Sequence, residues 1–348
     1  MCPSADTVLL PLGDGGEGTM EALISSTEGE IINTEVTGPL GKKVKASYGV
    51  LGNNKTCVIE MAKAAGLDLL HENERNPLYT TTYGVGELIA KALDDGYKSF
   101  IISIGGSGTN DGGAGMLQAL GINLLNKSNN NIDLGGKFLK DLIKIDSSNF
   151  DKRIKTSNFT IATDVTNPLV GINGASFVFG EQKGGGEKDL ELLDLNLRHW
   201  AGLIYECTGV KLHNKSGAGA GGGITGAFQA FFPMKVKSGI DVILDYTQFN
   251  KHLYKANYVI TGEGKVDRQT KFGKTPLGVS QFSIKKGIPT IVIAGALGEG
   301  FEFLNDYGVI SVNSIINKPM SLAEAIKNTP KLLEETTIQI MRSVLNIY

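Results

Sequence analysis

Carboxylates and glycines recur side by side at four points of this 348-residue sequence: GDGGEGT (13–19), GGSGTND (105–111), DVTN (164–167) and GEGKVD (262–267). Glycine lets backbone amides close on an anion and adopt positive φ, so such loops can cradle phosphate. A carboxylate beside the loop can share Mg2+ with phosphate oxygens, or take the proton of an attacking hydroxyl. Phosphoryl transfer needs that combination, because its catalysis is mostly positioning and charge neutralisation. The sequence holds 46 glycines, well above an ordinary usage of about 7%. One loop alone would read as a tight turn, and one acid alone as a helix cap. The recurrence is what points to chemistry.

Other chemistries fit less well. Gly273-Lys274-Thr275 ends like a P-loop, but the first glycine of that motif would fall on Arg268. Residues 217–222 (GAGAGG) match the dinucleotide pattern GxGxxG, with Asp241 downstream. The preceding VKLHNKS is too polar for the strand that pattern requires. An NAD-dependent oxidoreductase therefore stands as a minor alternative. Ser107 lies in GGSGT, which lacks the spacing of a hydrolase nucleophile elbow. Cys2, Cys57 and Cys207, and His71, His199, His213 and His252, are scattered, without zinc-ligand or disulfide spacing.

Lys+Arg 34 against Asp+Glu 36 leaves a net charge of −2, which gives no field to gather nucleic acid or an anionic membrane. No apolar stretch approaches the roughly 18–20 residues that cross a bilayer, and MCPSADTVLL lacks the basic segment of a signal peptide. A cytoplasmic protein is the expectation by elimination. A homo-oligomer is compatible with the composition, which does not decide the point.

The elements that must position these loops alternate. Residues 7–12 (TVLLPL) predict a strand running into the first glycine loop, with a helix over 20–25. Alternating Val44, Ala46, Tyr48 and Val50, a turn at 52–55 and residues 56–60 predict a hairpin. Val85, Leu88, Ile89, Ala92 and Leu93 share a helical face, and 99–104 (SFIISI) predicts a buried strand before the richest glycine loop. Residues 126–133 predict an exposed loop. A strand over 159–163 delivers Asp164, and a helix spans about 188–206. Residues 258–261 predict a strand entering the GEGKVD loop, and Thr275-Pro276 starts a helix. Strands follow at 290–294 and 309–312. Ser321 to Glu324 has the form of a capping box, and Thr329-Pro330 is expected to start the last helix. Alternating strands and helices imply an α/β protein with mostly parallel sheets, whose ligands gather at the carboxyl ends of the strands.

Seven motifs, GDGGEGT (13–19), VTGPLG (36–41), GGSGTNDGGAGMLQALG (105–121), DVTNPLVG (164–171), FGEQKG (179–184), GAGAGGG (217–223) and TGEGKVD (261–267), resemble those of the bacterial type-1 glycerate kinases. They occur in the family's order through nearly the whole chain. The resemblance implies phosphorylation of D-glycerate by ATP with Mg2+, usually to 2-phosphoglycerate. It also implies two α/β domains with the active site in the cleft. One is flavodoxin-like, a Rossmann-type parallel sheet in three layers, expected over 1–77 plus 241–348. The other, over 78–240, is inserted in sequence and carries the phosphate loop. Family members begin with a further strand and an APDSFKGS-like segment, and this sequence starts beyond the point where those would lie. A non-catalytic remnant of the family is therefore the competing expectation.

Roles follow from chemistry on the matching positions. Asp164, beside Asn167, is the expected base for the glycerate hydroxyl, with Asp111 a further catalytic candidate. Gly105, Gly106, Ser107, Thr109 and Asn110 are expected to cradle phosphates, with Gly217 and Gly219 as further nucleotide contacts. Asp14 and Glu17, or Glu263 and Asp267, are expected to hold Mg2+. Lys183, Lys265 and Lys274 are candidates for the glycerate carboxylate or the transferred phosphate.

Overall fold

The computed structural model describes residues 5–13, 15–271 and 273–345. Asp14 lies outside the described residues. The chain divides into two compact units, Gly15–Gly239 and Met1–Asp14 with Ile240–Tyr348.

In the first unit the strands are β1 (Glu30–Thr37), β2 (Lys43–Val50), β3 (Thr56–Glu60), β4 (Ser99–Ser103), β5 (Asn123–Leu125), β6 (Lys144–Asp146), β7 (Asn158–Ala162) and β8 (Met234–Lys237). Its helices are α1 (Thr19–Thr27), α2 (Ala62–Ala65), α3 (Tyr83–Asp94), α4 (Ala114–Ala119), α5 (Ala175–Phe179), α6 (Glu187–Thr208) and α7 (Ile224–Phe231). Six strands form one sheet in the order β1-β2-β3-β4-β7-β8. The pairs β1/β2 and β2/β3 are antiparallel, whereas β3, β4, β7 and β8 run parallel. Every residue of β3 is buried and nearly all of β4, because a parallel strand covered on both faces must be apolar throughout. α3 buries Val85, Leu88, Ile89, Ala92 and Leu93, the face its periodicity predicts. The Phe100 and Phe159 rings stack at 4.7 Å between centroids, fixing β4 against β7.

In the second unit α8 (Gly239–Tyr246), α9 (Phe249–Leu253), α10 (Thr275–Ile284) and α11 (Leu322–Val344) accompany β9 (Val259–Val266), β10 (Thr290–Leu297) and β11 (Val309–Ser314). These strands form a parallel sheet in the order β11-β10-β9. Its core lies in separate apolar clusters, one around Val266, Val292 and Leu304 and another around Ile240, Leu244 and Val279.

Four expectations need correction. Residues 7–12 form no strand: Pro11 has no amide hydrogen to give a ladder, and Leu9 is 89% exposed. The expected border at 77/78 falls inside the first unit, because β3 pairs with β4 across it. β9 continues to Val266, so Glu263 and Lys265 stand in a strand rather than in the loop after it. The last helix starts at Leu322, capped by the Ser321 side chain accepting from Glu324 N at 3.2 Å, and runs through Pro330. The ring is tolerated there on an exposed stretch of helix.

Candidate active site

The first unit collects its glycine loops where β3, β4 and β7 end. Ser103, the last residue of β4, donates its hydroxyl to the Gly15 carbonyl. Gly105 lies so close to Gly16 that a Cβ there would fall 2.6 Å from the Gly16 Cα, and a Cβ on Gly106 would fall 2.4 Å from Glu17 Oε1. Only backbone without a side chain fits between these loops. At the end of β7, Asp164 Oδ2 accepts from Gly239 N at 3.3 Å. A Cβ on Gly15 would lie 2.9 Å from the Gly239 Cα and 3.5 Å from the Ala162 carbonyl. Residues 15–17, 105–107 and Asp164, apart in sequence, are thus brought together.

Glu60 ends β3. It is buried, and its Oε1 accepts from Met20 N at 2.8 Å in the first turn of α1, a favourable place for negative charge. Burial nevertheless pushes its carboxyl above the usual range. Glu17 is also raised, by desolvation first and then by the Asp68 carboxyl beside it, with Lys63 opposing. Lys63 ties the cluster together, 2.8 Å from Glu21 and 3.7 Å from Glu60.

Behind this surface lies a buried polar scaffold. Asp111 is fully buried; its carboxylate accepts from Thr82 N (2.8 Å), the Thr82 hydroxyl (2.9 Å), Gly113 N (3.0 Å) and Gly115 N (3.2 Å). It holds the first turn of α4 and ties the glycine loop to Thr82. Lys183 is buried too, donating to the Ser107 hydroxyl (3.0 Å) and the Thr109 carbonyl (2.8 Å). Burial pushes its ammonium down to about 7, with Asp111 opposing the shift. Thr109 and Asn110 are buried, and Asn110 donates its amide to the Ser176 hydroxyl at 2.8 Å. Of the expected phosphate cradle, residues 105–107 reach the surface, and Thr109 and Asn110 shape it from beneath.

The second glycine loop serves the same scaffold. Gly217 N donates to the Thr166 carbonyl (3.0 Å) and Gly219 N to the Asn167 carbonyl (3.1 Å). Both amides hold the loop that follows Asp164. The Asn167 side chain donates to the Asn173 carbonyl at 2.9 Å. Residues 221–223 take φ of 62°, 69° and 94°, and a Cβ on Gly222 would lie 1.9 Å from the Thr109 carbonyl. No strand precedes this loop among the described residues, so the dinucleotide alternative lacks its structural context.

In the second unit, Glu263 Oε1 accepts the Thr270 hydroxyl at 2.8 Å and lies 3.8 Å from Lys274. Lys265 sits 2.9 Å from Asp267 and holds that carboxyl below the usual range. The four expected residues therefore form two acid–base pairs. Sequence reasoning missed Glu60, Asp68 and Arg75. Glu60 was readable as an acid closing an apolar strand (TCVIE); Asp68, among leucines (GLDLL), and Arg75, in a polar stretch (HENERN), carry no local signal of a site.

Comparison with known proteins extends over the whole chain. The profile of the Glycerate kinase family matches residues 1–345. The glycerate kinase of Halalkalibacterium halodurans is 44% identical over 97% of this chain and 89% of its own length. The glycerate 2-kinase of Escherichia coli is 46% identical over 93% of this chain and 85% of its own. A crystal structure from Salmonella typhimurium LT2, described as a glycerate kinase 2, superposes with a TM-score of 0.88 at 43% identity, covering 99% of this chain and 90% of that one. With motifs, fold and length in agreement, the chain belongs to the glycerate kinase family.

Proposed function

We propose that this protein transfers the γ-phosphoryl group of ATP to D-glycerate, giving 2-phosphoglycerate. The observation that carries the reading is the gathering of residues 15–17, 105–107 and Asp164 at the carboxyl ends of three adjacent parallel strands. That is where open α/β sheets bind ligands. The non-catalytic alternative is not favoured, since the family match spans residues 1–345.

Residues 105–107 present backbone amides to the phosphates, held by Lys183 and Asp111 from behind. Asp164 accepts the proton of the glycerate hydroxyl as its oxygen attacks the γ-phosphorus, and the bond to the bridging oxygen of ADP breaks. Asn167 braces the loop on which Asp164 sits.

Mg2+ suits the donor set at Glu17: two neighbouring carboxyls, Glu17 and Asp68, raise the affinity of Glu17 for a proton, and a hard divalent cation relieves the same repulsion. When bound, the ion neutralises charge on the phosphates. Among the described residues no three His, Cys, Asp or Glu side chains come together as a metal cage, which fits an ion held by one or two carboxylates and by substrate phosphates. Asp14, the other acid of the GDGGEGT motif, is the further candidate ligand. Glu263 and Asp267, each beside a lysine, are the weaker pair.

The reading carries with it a cytoplasmic enzyme of small molecules. No described helix is long and apolar enough to cross a membrane. Purified protein given ATP, Mg2+ and D-glycerate should release ADP, and phosphorus NMR should find the new ester on the C2 oxygen. Release of ADP that does not depend on glycerate overturns the assignment of substrate.

A further inference from the structure

We infer that Arg75 recognises the carboxylate of the acceptor acid. The inference rests on the glycerate reading and names the group that reads the acid end of the substrate.

The chain has five arginines. Arg153 holds Asp94 and Asp151, Arg198 holds Asp194, and Arg268 approaches Glu299. Arg342 lies on the exposed face of α11. Arg75 makes no ion pair among the described residues, although its Nε is buried without a hydrogen-bond partner. Arg75 is half-buried, and only Nε of its guanidinium is closed off without a partner; the Nη side remains open to an anion from outside.

The position of Arg75 gives that anion its identity. Gly184 packs against it: a Cβ there would fall 2.2 Å from the Arg75 carbonyl oxygen and 2.9 Å from the Arg75 Cβ. Gly184 directly follows Lys183, whose ammonium carries the Ser107 hydroxyl. Leu67 N donates to the Gly106 carbonyl at 2.9 Å, so the segment leading to Arg75 also runs along the phosphate loop. Lys183 has no carboxylate within ion-pair distance among the described residues; the acid acting on it is the buried Asp111. Two cationic side chains, Arg75 and Lys183, are therefore rooted side by side next to residues 105–107.

A carboxylate of glycerate and a phosphate of ATP offer the same anionic oxygens. The planar fork of arginine matches a carboxylate through two parallel hydrogen bonds, while the glycine amides of residues 105–107 already suit phosphate. The carboxylate is therefore the assigned partner.

The test is steady-state kinetics of full-length Arg75→Met and Arg75→Lys, with thermal melting to establish that each is folded. Arg75→Met keeps the apolar stem and should raise the KM for glycerate by about tenfold to a hundredfold. The KM for ATP should stay within about twofold, and kcat should fall far less than the glycerate KM rises. Arg75→Lys should fall between wild type and Arg75→Met. The preference for glycerate over its uncharged amide should collapse in Arg75→Met, and added methylguanidinium should recover part of it. A glycerate KM within about twofold of wild type overturns the inference, as does a rise confined to the KM for ATP. Wild-type protein inactive on glycerate would overturn the functional reading itself, a result separable from either of these.

Discussion

Replacing the Asp164 carboxylate by an amide removes a proton acceptor while keeping its shape and an oxygen for the Gly239 amide to bond. Asp164→Asn should lower kcat by at least about a hundredfold with little change in either KM, the scale of a general-base contribution. Unchanged turnover would assign the base to another acid. Lys183 makes a different prediction. Burial holds its folded-state value near 7, below the ordinary lysine value. Between those two values the unfolded chain binds more protons than the folded one, so this residue's contribution to stability rises with pH across that window. The melting temperature of wild type minus that of Lys183→Met should therefore increase from about pH 7 to about pH 9, by at most about 1.4 kcal/mol per pH unit in free energy. A difference that stays flat would show that the ammonium is not desolvated. Asp164 was legible at the end of an apolar strand, whereas Lys183 was reached through the family resemblance, and its burial depends on contacts 74 and 76 residues away.

At the scale of elements, the Asp111 carboxylate joins the start of α3 to the start of α4 through Thr82, Gly113 and Gly115. Asp111→Ala orphans several buried donors at once and should cost on the order of 3 kcal/mol. Urea unfolding would read this as a lower midpoint at an unchanged slope. Strands β4 and β7 were legible as apolar runs closed by glycine or aspartate. β1 was not, because EIINTEVT mixes exposed and half-buried positions and gains its pairing only from β2. The strand expected at 7–12 shows the converse: apolar residues without a ladder partner stay irregular. Residues 105–107 were legible as a glycine loop at a strand end, since glycine density is a local signal. Arg75 was invisible, because an unpaired charge is a property of its neighbours.

Over the whole molecule, the large cluster that includes Tyr48, Phe100 and Trp200 belongs to the first unit, and those around Val266, Ile240 and Ile291 to the second. Scanning calorimetry should accordingly give a calorimetric enthalpy above the van't Hoff value. A single two-state transition would show that the cores melt as one. The α/β class could be read from alternation along the chain, whereas the border between the units could not, since one β3–β4 pairing outweighs the composition of the segment between them. The left-handed run at 221–223 also has a genetic consequence. Any base change that replaces one of these glycines adds a side chain to a backbone that L-residues avoid. In a randomised gene library selected for retained enzyme, deep sequencing should find codons 221–223 almost invariant. Codon 202, whose glycine on α6 has open space around it, should drift freely.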